Sequence, residues 1–179
     1  YMAVDTAVTV GVLTAPISTF PEFFFADEDT GAGGRTALAS ASGVPETSPG
    51  FSTLLHYYRQ AAQWALGPAA PINYAHLLRA GATVPKRVLV HAGITDPIVP
   101  NASTDALAQQ MQLPDLKAMG GCVAPYDGCR GIWRFVMSEY GKPNTAGHGV
   151  TTKLPEAEQQ AATFVRSAGT IVLDAHPVQ

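Results

Sequence analysis

Apolar residues occur along this chain in short, β-branched runs that are typical of strands. Residues 8–13 read Val-Thr-Val-Gly-Val-Leu, and residues 88–92 read Val-Leu-Val-His-Ala before Gly93. The first run is apolar at nearly every position, which predicts a central parallel strand buried on both faces. Residues 131–137 alternate in part and residues 171–173 form a last short run, so the pattern predicts four strands.

Between these runs the apolar positions recur at helical spacing. We expect Ser52 to cap a helix that ends near Leu66, and Pro71 to open a short second helix. Either Asn101 or Ser103 is expected to cap the helix that follows the second strand. The apolar stripe predicted for the first helix is Leu54, Leu55, Tyr58, Ala61, Ala62 and Ala65. For the helix after the second strand the stripe is Thr104, Leu107, Ala108 and Met111. A last helix, which precedes the final strand, has the stripe Ala157, Ala161, Phe164, Val165 and Ala168.

The predicted elements alternate between strand and helix. Their order is strand, inserted helices, strand, helix, strand, helix and short strand. This order predicts an α/β fold, in which a mainly parallel sheet is flanked by helices and a helical segment is inserted after the first strand. Ligands of open α/β sheets bind just past the carboxyl ends of the strands, so that edge is where chemistry is expected.

Residues 17–50 follow neither pattern. Four phenylalanines are followed by a Gly/Ala/Ser-rich passage over residues 31–50 that has no strong period. Such a passage is typical of loose chain, and an aromatic cluster beside it predicts a mobile lid over an apolar site. The alternative is that the phenylalanines fill a small core. The cluster consists of Phe20, Phe23, Phe24 and Phe25.

Composition limits the classes of function that the chain can have. Its 179 residues suffice for one domain with a sizeable core. Only 14% of the residues are charged and 46% are hydrophobic, which predicts that much of the surface is buried against other protein. A net charge of −3 without a basic run argues against a nucleic-acid partner. No apolar stretch reaches the ~18 residues of a transmembrane helix.

The two cysteines, Cys122 and Cys129, are expected to form a disulfide. Metal sites use shorter gaps and more ligands than this pair offers. A small disulfide loop fits better, because Pro125 and the Asp127-Gly128 pair supply turn residues. Two unrelated thiols are the alternative. A disulfide indicates an oxidising compartment, so we expect a secreted or cell-envelope protein.

Two residues at the expected ligand edge carry the candidate chemistry. Asp96 follows the strand at residues 88–92, and His148 follows the strand at residues 131–137 on a glycine-flanked loop. A carboxylate that accepts from one imidazole nitrogen fixes the tautomer, and the other nitrogen is then able to deprotonate a serine. The order of acid and histidine therefore predicts a catalytic pair. The alternative is an aspartate that satisfies its own turn and an unrelated surface histidine.

The nucleophile is missing from this pattern. An α/β-hydrolase serine sits in GxSxG between a strand and a helix, ahead of the acid and the histidine, and no GxSxG occurs here. Ser42 and Ser48 lack that context. No metal-ligand spacing, phosphate-binding glycine loop or dinucleotide motif is present either, so we predict neither a metal nor a cofactor.

These segments resemble α/β-hydrolase lipases and esterases. Residues 88–101 with Asp96, then Ser103-Thr104 and Leu107-Ala108, are similar to the acid segment of that family. The resemblance is closest to large bacterial extracellular lipases, in which Asn-Tyr-Ala, here residues 73–75, precedes the strand. The helix that contains residues 159–164 and leads to Gly169 is similar to their C-terminal end. The match covers roughly residues 71–173.

The resemblance implies a division of the chain and a role for each part. Residues 1–16 would hold the core strand after the nucleophile helix, residues 17–84 the cap or lid, and residues 85–179 the C-terminal part of the hydrolase core. Asp96 would be the acid and His148 the base of a Ser-His-Asp triad. The first half of the family's fold, which carries the serine and the oxyanion hole, lies outside these residues.

We therefore expect the C-terminal half of a secreted serine lipase or esterase that is incomplete without an upstream segment supplying the serine. Either the chain is the C-terminal piece of a nicked hydrolase, or the upstream part precedes Tyr1. An ester or lipid is the expected substrate, and the phenylalanine cluster is expected to bind its apolar part. Two alternatives remain, namely a peptidase or other acyl hydrolase on the same scaffold, and a non-catalytic binding domain without its serine.

Overall fold

The protein has a mixed α/β fold built around a small parallel sheet. Its structure, a computed structural model, describes residues 2–25, 29–124 and 128–176. Three strands, β1 (Val10–Thr14), β2 (Arg87–Gly93) and β4 (Gly131–Phe135), form the sheet in the order β1-β2-β4. Both pairings are parallel, as the alternation of elements predicts. The carboxyl ends of all three strands therefore meet at one edge.

Strand β2 lies in the centre because its side chains are apolar on both faces. Val88 and Val90 pack in the core on one face, and Leu89 packs in the core on the other. This division follows from the two-residue period of a strand. In the described residues the first run forms an edge strand and not the central buried strand that its pattern predicts. Within the described residues β1 pairs with β2 alone, and its apolar side chains are only half-buried.

Helices cover both faces of the sheet. Helix α4 (Asn101–Gln110) packs on the face of Val88 and Val90, whereas α5 (Val150–Lys153) and α6 (Pro155–Arg166) lie toward the face of Leu89. The stripe predicted for α4 is confirmed, since Thr104, Leu107, Ala108 and Met111 are all buried. The predicted second helix is a 3-10 helix, Pro71–Leu78, and another 3-10 turn, Gly67–Ala69, precedes it.

The stripe predicted for α6 is wrong at two positions. Ala157 and Phe164 are buried as expected, but Val165 is 56% exposed and Ala168 lies exposed beyond the end of the helix. Gln160, which is not part of the predicted stripe, is fully buried. A buried glutamine requires partners for its amide. It has them, because Gln160 Nε2 donates to the carbonyl of Leu173 at 2.5 Å and Gln160 Oε1 lies 2.8 Å from His91.

Residues 17–84 are largely helical. They form α1 (Phe20–Phe25), α2 (Asp29–Ser42) and α3 (Pro49–Leu66). The expectation of loose chain is therefore wrong over residues 31–42. Glycine has a packing role there, because a Cβ on Gly34 would lie 2.0 Å from the carbonyl oxygen of Phe24. These three helices bury a small cluster of their own, formed by Phe25, Leu38, Phe51 and Leu55.

The predicted helix caps are not formed. Ser52 lies inside α3, where its hydroxyl donates to the carbonyl of Pro49, and Ser48 occupies the cap position without a side-chain bond. Neither Asn101 nor Ser103 caps α4, whose cap position is held by Pro100. The side chains of Asn101 and Ser103 bond to other parts of the fold instead.

The last predicted strand does not join the parallel sheet. Strand β5 (Ile171–Val172) pairs antiparallel with a short strand, β3 (Cys122–Val123), which the sequence pattern did not predict. The predicted disulfide is confirmed, since Cys122 and Cys129 are bonded with a Cα–Cα distance of 6.0 Å. The turns expected at Pro125 and Asp127 lie outside the described residues. Among the described helices, none has both the length and the apolar character needed to cross a membrane.

Candidate active site

The turn after β2 holds Asp96 in a fixed orientation. Thr95 takes a left-handed conformation with φ of +60°, which turns the chain sharply. The Oδ1 atom of Asp96 then accepts from the backbone N–H of Ile98 at 2.7 Å and from that of Val99 at 2.9 Å. The Asp96 side chain is 2% exposed. The backbone donors stabilise the buried carboxylate and leave its Oδ2 atom for another partner.

Asn101 closes this turn from the other side. Its Nδ2 donates to the carbonyl of Gly93 at 2.6 Å, and its Oδ1 accepts from the N–H of Thr95 at 2.8 Å. Sequence reasoning treated Asn101 as a helix cap and missed this role. An asparagine after a proline at a helix start suits both roles, so the sequence pattern alone does not distinguish them.

His148 lies in a 3-10 helix, Asn144–Gly149, that rests on the end of β2. The contact is between backbones. A Cβ on Gly93 would lie 2.2 Å from the carbonyl oxygen of Gly147, and a Cβ on Gly147 would lie 3.2 Å from that of Ile94. The loop that carries His148 therefore approaches the end of β2 closely at Gly147. At Gly149 a Cβ would meet only the flexible side chains of Lys153 and Thr152 within 3.3 Å.

Asp96 and His148 are brought together at the carboxyl edge of the sheet. The Nδ1 atom of His148 lies 3.2 Å from Oδ2 of Asp96. Because an ionised carboxylate only accepts hydrogen bonds, Nδ1 carries the proton and Nε2 of the neutral ring is an acceptor. The His148 side chain is 42% exposed. Among the described residues, Asp96 is the only hydrogen-bond partner of this ring, so Nε2 is available to a group from outside.

A second His–Asp pair, His176 and Asp174, provides a comparison between the Asp96–His148 contact and a purely local one. His176 Nδ1 lies 2.5 Å from Oδ1 of Asp174, but the two residues are only two positions apart and both side chains are about half exposed. The backbone N–H of His176, with a smaller effect from this ring contact, lowers the pKa of Asp174. The His176–Asp174 pair stabilises its own turn, whereas the Asp96–His148 pair joins two segments 52 positions apart.

The predicted phenylalanine cluster is divided between core and surface. Phe25 is 8% exposed and packs with the helices of residues 17–84, whereas Phe24 is 47% exposed and makes an edge-to-face contact with Phe23 at 5.1 Å. Phe20 is half-buried. A cavity of about 430 Å³ lies between the helical segment and the start of α4. Its lining includes Thr19, Pro21, His56, Arg59, Pro100 and Ser103.

Of the two serines considered from sequence, Ser42 is engaged locally, whereas the hydroxyl of Ser48 is buried without a hydrogen-bond partner among the described residues. The hydroxyl of Ser42 donates to the carbonyl of Ala39 and accepts from the N–H of Val44, at the end of α2. Ser48 lies at the start of α3, in a separate part of the helical segment. In the described parts of the chain, no cluster of three or more His, Cys, Asp or Glu side chains is arranged to hold a metal ion.

His91 is a hydrogen-bonded core residue of β2. It is fully buried on β2, and its Nε2 faces the amide oxygen of Gln160. Burial lowers the pKa of His91 from 6.5 to about 4, against a smaller opposing effect of the Gln160 bond. The ring is therefore neutral in the folded protein near pH 7.

No protein-family model, curated protein or solved structure matches this chain.

The backbone contact predicts a sharp difference between two glycines. Gly93→Ala should lower the free energy of unfolding by about 3 kcal/mol, because its Cβ meets backbone atoms that cannot move independently. Gly50→Ala, in the first turn of α3 with its nearest neighbour 4.0 Å away, should stay within about 0.5 kcal/mol of wild type. Urea denaturation measures both values. Equal stabilities for the two variants would contradict the close approach.

The buried neutral His91 predicts a loss of stability in acid. Since its pKa is lower in the folded state, the unfolded chain binds the proton first as the pH falls from 6.5 towards 4. The free energy of unfolding should therefore decrease by up to about 3 kcal/mol over that window. Denaturation of wild type and His91→Gln at each pH isolates this contribution, because the variant should have a flatter profile. Parallel profiles would mean that His91 takes up its proton in the folded state.

Proposed function

We propose that this chain is the acid–base half of an α/β-hydrolase that cleaves carboxylic esters, a secreted lipase or esterase of the bacterial extracellular type. The Asp96–His148 pair is the observation that carries the proposal. Asp96 is the triad acid and His148 the triad base. An upstream segment of the same protein supplies the serine and the oxyanion hole.

The proposed reaction uses the two ring nitrogens of His148 for different tasks. Nε2 takes the proton of the incoming serine hydroxyl as its oxygen attacks the ester carbonyl carbon, and then gives that proton to the leaving alcohol. The buried carboxylate of Asp96 stabilises the imidazolium that forms in between. Water, deprotonated by Nε2 of His148, then attacks the acyl-serine, and the proton passes from Nε2 to the leaving serine oxygen as the acid is released. The 42% exposure of the His148 side chain supports this assignment, because the nucleophile needs access to the ring.

The open side of the sheet supports an upstream partner. Strand β1 has a described neighbour on one side only, and its apolar residues Val10, Val12 and Leu13 are half-buried. A further parallel strand beside β1 would bury them and would end at the same edge as β2 and β4. A serine placed after that strand would therefore approach the edge at which His148 lies.

The proposed catalytic pair is tested in the full-length protein with short-chain nitrophenyl esters. His148→Ala and Asp96→Asn should each lower kcat by about 10³-fold or more. His148→Ala removes the base of the serine, and Asp96→Asn removes the carboxylate that fixes the tautomer of that base. His176→Ala is the matched control, since it breaks the other His–Asp pair, and it should keep kcat near wild type. Unchanged activity in His148→Ala would refute the proposed function.

We further propose that the exposed part of the phenylalanine cluster contacts the acyl chain. Phe24→Ala should lower kcat/KM for long-chain esters by about 10-fold relative to short-chain esters, because an apolar contact is lost. Trp64→Ala removes another aromatic side chain, 86% exposed on α3, and should leave the chain-length profile unchanged. An unaltered profile in Phe24→Ala would remove this residue from the substrate site.

A further inference from the structure

A chain of side-chain hydrogen bonds runs through the core behind the Asp96–His148 pair. It begins at the buried amide of Gln160, whose Oε1 lies 2.8 Å from Nε2 of His91. The other ring nitrogen, Nδ1 of His91, lies 3.2 Å from the hydroxyl of Thr151. That hydroxyl lies 2.9 Å from the hydroxyl of Thr14, at the carboxyl end of β1. One continuous chain therefore joins α6, β2, α5 and β1.

The direction of each bond in this chain follows from its buried end. Gln160 donates its Nε2 protons toward the carbonyl of Leu173, so its Oε1 must accept from His91. Nε2 of His91 therefore carries the proton. Because the buried ring is neutral, Nδ1 is an acceptor, and the hydroxyl of Thr151 must donate to it. Thr14 then donates to the oxygen of Thr151.

The positions of these residues connect the chain of hydrogen bonds to the proposed site. His91 lies on the strand that leads directly into the Asp96 turn, five positions earlier. Thr151 lies in the first turn of α5, three positions after His148. The His91–Thr151 bond therefore ties together the two segments that carry the acid and the base. The Gly93–Gly147 contact holds the same two segments together at the residue that precedes His148 in sequence.

We propose that Thr151 and His91 are positioning residues for His148, which fix the start of α5 so that the His148 ring keeps its bond to Asp96. This inference rests on the proposed function for its catalytic consequence, but not for its effect on the ring. Without the Thr151 hydroxyl, α5 loses its side-chain hydrogen bond to β2. The His148 ring then samples orientations in which Nδ1 is not bonded to Asp96, and the fraction with Nε2 poised as a base falls.

The test compares hydroxyl-free and hydroxyl-bearing residues at position 151 in the full-length protein. Thr151→Val and Thr151→Ala should each lower kcat for a nitrophenyl ester by about 10-fold, with KM within about twofold of wild type, because orientation rather than binding is lost. Thr151→Ser retains the donor and should restore kcat. Thr152→Val is the matched control on the same helix and should behave as wild type. In the described part of the chain, the Thr152 hydroxyl bonds to the nearby carbonyl of Gly149 alone.

Nuclear magnetic resonance of ¹⁵N-histidine-labelled protein gives a readout that does not depend on turnover. In wild type, the His91 ring should be protonated at Nε2 and the His148 ring at Nδ1. In Thr151→Val and Thr151→Ala the His148 signals should move toward an average of the two tautomers, and in Thr151→Ser they should return. Spectra are compared at a temperature at which circular dichroism shows every variant folded.

The outcomes separate this inference from the proposed function. If His148→Ala abolishes activity while both hydroxyl-free variants keep wild-type kcat and wild-type His148 signals, the positioning role is wrong and the hydrolase assignment stands. If His148→Ala keeps full activity but the His148 signals shift as described, the positioning role stands and the hydrolase assignment is wrong. Loss of activity in Thr151→Ser equal to that in Thr151→Ala would also overturn the positioning role.

Discussion

The direct contact between the backbones of Gly93 and Gly147 is the constraint on which the candidate site depends. No side chain fits between the end of β2 and the 3-10 helix that carries His148, since a Cβ on Gly93 would lie 2.2 Å from the carbonyl oxygen of Gly147. This close approach brings Asp96, which follows β2, and His148, which lies on the 3-10 helix, within hydrogen-bond distance of each other. A larger separation would leave the Oδ2 atom of the buried Asp96 carboxylate without its partner, which is costly for a charged group.

The Asp96 turn divides the two oxygens of one carboxylate between structure and chemistry. Oδ1 is held by two backbone N–H groups, and Asn101 holds the backbone of the same turn in place. Oδ2 faces the imidazole of His148. The carboxylate therefore keeps one orientation, and the tautomer of His148 follows from it. In the Asp96–His148 pair, a buried acid thus fixes a partly exposed ring. The contact between His176 and Asp174, in contrast, is confined to one exposed turn.

Much of this arrangement could be predicted from the residues because short-range patterns specify it. The apolar runs at β2 and β4 indicate parallel strands, and Asp96 and His148 follow the ends of those strands, so their common edge could be inferred. Long-range packing decided the rest. Gln160 is buried because it is the hydrogen-bond acceptor of the buried His91, and no apolar periodicity predicts a buried glutamine. The passage after residue 29 is rich in alanine as well as glycine, and tertiary contact with α1 makes it helical.

The central claim is that His148 activates a serine that lies outside residues 1–179. A fluorophosphonate probe tests it most directly, because an activated serine oxygen displaces fluoride and forms a stable phosphonate ester. Peptide mapping of the labelled full-length protein should find the adduct on one upstream serine, with labelling lost in His148→Ala and retained in His176→Ala. An adduct on a serine within residues 1–179, or equal labelling in His148→Ala, would contradict the account.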